Sequence, residues 1–327
     1  MFCCRVELIN RTKSHHSLHD TLQRGWRTPF LRKHLPLQHD ARQLSHNVRA
    51  AGPRVGYHAA SFRRREEAVM STKLHPGPVY GPIHSRRLGV SLGVNLMPTS
   101  GKICTFDCLY CEDGFNAERR TREGCVSAEV YEAALEAKLR EMSEAGVLPD
   151  VITFSGNGEP TAAPSFPEAV RATVRLRDQY APGCKIAVLS NATMADRPAV
   201  REALMLVDDN ILKLDTVDAD FIQFLDRPCC PYDVEHQIET LASYKGHVIV
   251  QTIFLRGSYE GTSCDNTSDK YVAPWLEALN RIAPQAVTIY TIDRPTPAQG
   301  LEKAPAEVLD AIAERVRALG IPCQVSY

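Results

Sequence analysis

From residue 88 onward the chain alternates short apolar runs with amphipathic segments, and this alternation limits the folds open to it more than any other feature. LGVSLGVNLM places Leu88, Val90, Leu92, Val94 and Leu96 at a period of two, as in a strand with one buried face. VITFS (151–155), KIAVLS (185–190), NILKL (210–214), HVIVQTIFL (247–255) and AVTIYTI (286–292) read as further strands. Helical faces lie between or after them. Tyr131, Leu135, Leu139 and Met142 follow a Ser127 cap, and Trp275, Leu276, Leu279 and Ile282 form a second face. Leu309, Ile312, Val316 and Leu319 form a third, ended by Gly320 and Pro322. Six strands with helical crossovers make an α/β domain with a parallel sheet and right-handed connections. Periodicity leaves two forms open, a doubly wound open sheet and a curled partial barrel.

Polar residues stand directly after the strands: Asn157–Glu159, Asn191, Asp215 and Asp293–Arg294. In parallel α/β folds the C-terminal strand ends and their loops hold the active site. Five strand ends, counting the one that feeds residues 101–114, therefore converge on one rim. Lys213 and Asp215 in ILKLD alternate with apolar neighbours and point the same way. If that way is inward, the lysine needs a counter-ion or an anionic ligand.

Residues 101–114, GKICTFDCLYCEDG, place Cys104, Cys108 and Cys111 at a Cys-x3-Cys-x2-Cys spacing. The chain has eleven cysteines, an odd number, with no secretory signal and no apolar run long enough to span a membrane. That usage points to a reducing compartment, the cytoplasm, where a tight thiol cluster binds metal or does chemistry. Thiolates select zinc, copper(I) or iron–sulfur clusters. Zinc wants a fourth ligand, which Cys125 or the Cys229–Cys230 pair would have to supply in a non-redox module. A [4Fe–4S] cluster on three cysteines would keep one iron open.

ICTFDCLYCE is similar to the cysteine loop of radical S-adenosylmethionine (SAM) enzymes, with Tyr110 just before the last cysteine. GPIHSRRLGVSLGVNLMP before it, then TFSGNGEPT, LSNAT and YTIDRPTP at later strand ends, extend the likeness over residues 78–326. Together they resemble the subgroup often labelled iron–sulfur oxidoreductases, related to wybutosine-synthesis enzymes that act on tRNA. The resemblance implies a partial (β/α)6 TIM-type barrel. It implies that Cys104, Cys108 and Cys111 hold three irons of a [4Fe–4S] cluster, while SAM takes the fourth. Reduction of the cluster would cleave SAM to a 5′-deoxyadenosyl radical that abstracts hydrogen from a substrate. Gly158 and Glu159 correspond to a Gly-Gly-Glu element that binds the SAM amino group, with Asn157 in place of the first glycine. Ser190 and Asn191 fall where the family contacts ribose or carboxylate. Lys213 would neutralise the SAM carboxylate beside Asp215. An electron donor such as flavodoxin or ferredoxin is implied as partner. The substrate, whether metabolite, protein or RNA, is not.

The charge distribution divides the chain. Residues 1–69 carry 13 Lys+Arg against 5 Asp+Glu and 7 of the 11 histidines, without a hydrophobic period. They read as a disordered extension, either an Arg-rich arm or translated sequence ahead of a true start at Met70. Residues 70–327, the core domain, carry 25 against 34 and so present no global basic footprint for nucleic acid. Arg86, Arg87 and Arg294 are candidate anchors for an anionic substrate, the ERRTRE run (118–123) reads as a solvated face, and 257–268 as a long polar loop.

Overall fold

The computed structural model describes residues 74–85, 89–118 and 123–327. The extension expected over residues 1–69, Arg86 and Arg87, and the middle of the ERRTRE run lie outside them. In chain order the elements are β1 (Val79–Ser85), β2 (Gly89–Val94), α1 (Ala128–Glu144), β3 (Val151–Phe154), α2 (Phe166–Tyr180), β4 (Lys185–Ser190), α3 (Pro198–Leu204), β5 (Asp209–Lys213) and α4 (Ala219–Leu225). There follow α5 (Val234–Ala242), β6 (Ile249–Ile253), β7 (Leu255–Tyr259), β8 (Thr262–Ser263), α6 (Asp269–Ile282), β9 (Ala286–Tyr290), β10 (Leu301–Lys303), α7 (Ala306–Ala318) and β11 (Cys323–Ser326). No helix among the described residues is long and apolar enough to cross a membrane.

The sheet order answers the question that periodicity left open. β2, β3, β4, β5, β6, β9 and β11 are parallel and lie side by side in chain order, with β1 antiparallel beside β2. A doubly wound sheet reverses direction at a switch point; this one never does. Right-handed crossovers that all step the same way put the helices on one face and leave the other concave. The sheet begins at β1 and stops at β11 without closing. The architecture is the partial barrel, with one more parallel strand than expected.

The two faces differ in chemistry because strand side chains alternate. Leu92, Val94, Ile152, Phe154, Val188 and Leu212 are fully buried against the helices. Burial of a side chain such as Phe154 contributes roughly 1.5–3 kcal/mol. The predicted helical faces are those that pack: Tyr131, Leu135, Leu139 and Met142 on α1, capped by Ser127, and Trp275, Leu279 and Ile282 on α6. Leu319 is the exception, 41% exposed, because α7 has already ended there. Residues 257–268 are not the long loop expected. β7 and β8 form a hairpin whose two turn residues, Glu260 (φ 50°) and Gly261 (φ 79°), both take positive φ. That is the backbone of a tight two-residue hairpin, and β10 completes its sheet.

Candidate active site

The cysteine loop is fastened at both ends. Ile103 bridges to Gly158 like a fragment of extra strand, its N–H donating to the Asn157 carbonyl at 3.0 Å and its carbonyl accepting from Glu159 N–H at 3.3 Å. Gly158 sits at φ +131°, and a Cβ there would lie 1.8 Å from the Ile103 oxygen, so only glycine allows the approach. On the far side Asp107 N–H and Leu109 N–H donate to the carbonyls of Asp226 and Leu225, at 3.0 and 2.9 Å, as α4 ends. Asn116 closes the loop internally: it accepts from Cys104 N–H at 2.7 Å and donates to the Phe106 carbonyl at 2.8 Å.

Cys108 is buried and Cys104 and Cys111 half-buried; all three line a cavity of about 240 Å³ beside the strand ends. Burial pushes the Cys104 thiol up to about 12, with Lys102 opposing, and raises Cys108 well above the usual thiol range. Lys102 itself is buried and donates to the Gly114 carbonyl at 2.9 Å. Burial works against its charge, yet the three cysteines hold its affinity for the proton above the ordinary value. The Asn191 amide and the Phe106 N–H each come within 3.5 Å of the Cys104 sulfur as donors.

Glu159 is 2% exposed and engaged on both oxygens. Oε1 accepts from Thr161 N–H (3.0 Å), the Thr161 hydroxyl (2.5 Å) and the Ser190 hydroxyl (2.7 Å), and Oε2 from Asn191 N–H (2.8 Å). Burial raises its pKa, and these four donors act against the rise. Glu159 thus ties the β3 exit to the β4 exit, and Ser190 and Asn191 are placed by it. Asn157, in place of the first glycine, keeps a negative φ, while Gly156 and Gly158 on either side take positive φ. Its buried amide instead donates to the carbonyls of His75 and Pro98, both at 3.0 Å, and accepts from His75 N–H at 2.7 Å.

Lys213 and Asp215 point inward together, Nζ to Oδ2 at 3.3 Å. Lys213 also donates to the Tyr290 hydroxyl at 3.1 Å and lines the same cavity as the cysteines. The Tyr110 hydroxyl lies between the carboxyl groups of Asp215 and Asp226, 2.6 Å from Asp226 Oδ1. One hydroxyl proton cannot serve two carboxylates. Burial, then the neighbouring Asp215 charge, holds Asp226 well above the carboxylate range. The Tyr110 hydroxyl is within donating distance of both, and a proton held on Asp226 would let it donate to Asp215 alone.

A second cavity, of about 820 Å³, lies on the concave face and shares Gly158, Leu189, Gln251 and Arg294 with the first. Arg294 is no unattached anion anchor, because Glu112 of the cysteine loop binds it at 2.8 Å. Among the described residues no group of three or more His, Cys, Asp or Glu is set to hold a single metal ion. Cys125 packs against the main core, and Cys229 is exposed beside the cysteine loop, its N–H donating to the Thr105 carbonyl at 2.8 Å. Sequence reasoning missed Lys102, Asp113, Asp226, Gln251 and Tyr290. Only Lys102 and Asp113, each two residues from a cysteine of the triad, carried a local signal.

No protein-family model matches the chain. It is 31% identical over 228 residues to a UPF0026 protein of Helicobacter pylori, covering 68% of this chain and 69% of that one. Among solved structures it is similar to a radical SAM methyltransferase from Sphaerobacter thermophilus, with a TM-score of 0.51, 20% identity, and 72% of this chain and 66% of that one covered. It is also similar to Streptococcus suis SuiB bound to S-adenosylmethionine, with a TM-score of 0.50, 15% identity and 69% of this chain covered. The chain spans about half the length of SuiB, 48%. At these identities the likeness is one of fold.

Proposed function

The chain belongs to the UPF0026 family, and from that premise we propose that it is a radical SAM enzyme. The observation that carries the reading is the pinning of Cys104, Cys108 and Cys111 against the Gly158 turn, beside a cavity that Glu159, Asn191 and Lys213 also line. The donor set suits an iron–sulfur cluster: soft thiols, a buried ammonium, and N–H groups directed at sulfur, which are the protein's means of tuning such a group. Cys104, Cys108 and Cys111 would hold a [4Fe–4S] cluster. When bound with SAM, that group supplies the electron that cleaves the sulfonium and the radical that takes hydrogen from a substrate.

The chain's own residues supply placement and charge. Two of the three Lys213 donors are spent on Asp215 and Tyr290, which leaves one for the carboxylate of SAM. The Gly158–Glu159 turn offers oxygen to its amino group, with Ser190 and Asn191 as further polar contacts. Buried Lys102 offsets negative charge collecting on three thiolates. The odd cysteine count favours a reducing compartment such as the cytoplasm, and the reaction would need an electron donor such as flavodoxin or ferredoxin.

The test is anaerobic reconstitution with iron and sulfide, reduction, and assay of 5′-deoxyadenosine after SAM is added. Cluster-dependent cleavage supports the reading, and a Cys104→Ala/Cys108→Ala/Cys111→Ala variant should be colourless and inert. Zinc alone in strictly anaerobic preparations, or a cluster indifferent to SAM, would defeat it.

A further inference from the structure

We propose that the larger cavity binds the substrate and that this substrate is a small uncharged ring compound bearing hydroxyl or amide groups, a nucleoside or a free sugar, rather than a phosphorylated metabolite. The word substrate rests on the radical SAM reading; the binding chemistry does not. At about 820 Å³ the chamber falls within the range of small-molecule sites. It meets the cysteine cavity along Gly158, Leu189 and Gln251, so a ligand in it borders the place assigned to SAM.

Its floor is apolar. Val151, Leu189, Ile211 and Ile249 come from four adjacent strands and form a small cluster of their own on the concave face, apart from the main core. Two polar bands flank that floor. On the β2–β3 side the Ser91 and Thr153 hydroxyls bond each other at 2.8 Å, and Ser155 bonds the Tyr80 hydroxyl at 2.8 Å. On the β6–β9 side Gln251 and Thr288 are register partners, each only 9% exposed.

Among the described residues, nothing hydrogen-bonds to either of those two side chains. Their polar atoms open onto the chamber rather than being sealed in protein, so a ligand there can meet both with hydrogen bonds. A flat ring with an apolar face and polar edges satisfies floor and flanks together.

The charges of the described residues disfavour phosphate. Lys185 faces Asp209 at 3.5 Å and Arg294 faces Glu112 at 2.8 Å. The remaining acids lining the chamber, Asp113 and Asp150, leave acid in excess of Lys and Arg among the described residues. An anion would enter a wall whose two described Lys and Arg side chains already face acids.

Titration calorimetry on the reconstituted protein, with and without SAM, decides the matter. The probes are uridine, guanosine and glucose, each against its own monophosphate. At least one uncharged probe should bind below about 1 mM. Its phosphate should bind at least about tenfold more weakly. Thr288→Val and Gln251→Leu should each weaken that probe about five- to tenfold, and either variant suffices if the other fails to fold. Which arm binds separates nucleoside from sugar. Tighter binding of the phosphates, no uncharged probe below about 1 mM, or indifference to both substitutions would overturn the proposal. Failure of the radical SAM reading shows separately, as absent SAM cleavage while probe binding persists.

Discussion

The carbonyl oxygen of Ile103 stands where Gly158 has no side chain, 1.8 Å from the position a Cβ would take. The contact is between backbones, so neither partner can swing aside as a rotamer would. Gly158→Ala should force the cysteine loop off the strand end, with strain of about 3 kcal/mol or more from the backbone angle and the clash together. The iron bound after reconstitution should fall several-fold while far-UV circular dichroism stays near native. Full iron loading in this variant would show that the loop is held elsewhere.

Glu159 receives four donors and gives none. Glu159→Gln keeps the shape but turns one oxygen into an amide NH2, a donor that must face donors, which should destabilise the protein by about 1–3 kcal/mol in urea unfolding. Glu159→Ala should cost more, because Thr161, Ser190 and Asn191 all lose their acceptor. An unchanged midpoint in both would mean that the two strand exits are not tied through this carboxylate.

The two aspartates beside Tyr110 should respond unequally. Burial and the Asp215 charge both disfavour a charge on Asp226, so Asp226→Asn should cost less than about 1 kcal/mol. Asp215→Asn strips Lys213 of its counter-ion inside the protein and should cost about 3–5 kcal/mol. Equal losses would show that the proton is shared rather than resident on Asp226.

Burial, with a smaller push from Glu112, raises the Asp113 carboxyl from 3.8 to about 6. A raised carboxyl binds its proton more tightly in the folded state, so stability is greatest below pH 4 and declines as pH climbs through 6. In the metal-free protein Asp113→Asn should therefore be the more stable form at pH 7.5, by about 1–2 kcal/mol out of an upper limit near 3. The advantage should vanish near pH 4. A thermal melt series across pH 4–8 that shows a constant difference would refute this.

The strand ends and the cysteine triad were legible because each is local: a few residues carry apolar period, cap or thiol spacing. The pieces that were not legible are long-range or short. Asp226 meets Tyr110 across 116 positions, and Asn157 meets His75 across 82; no window of sequence contains either pair. β11 has four residues, CQVS, too brief and too polar for a periodic signal; its place beside β9 makes it a strand. β1 is interrupted by Pro82, which reads as a break, yet an edge strand tolerates it. The hairpin at 255–263 hid behind Glu260, where the usual tight turn has Asn or Asp.

Since the sheet ends at β11 without pairing to β1, residues of its first and last strands, Tyr80 and Ile83 on one side and Gln324 on the other, line the same large chamber.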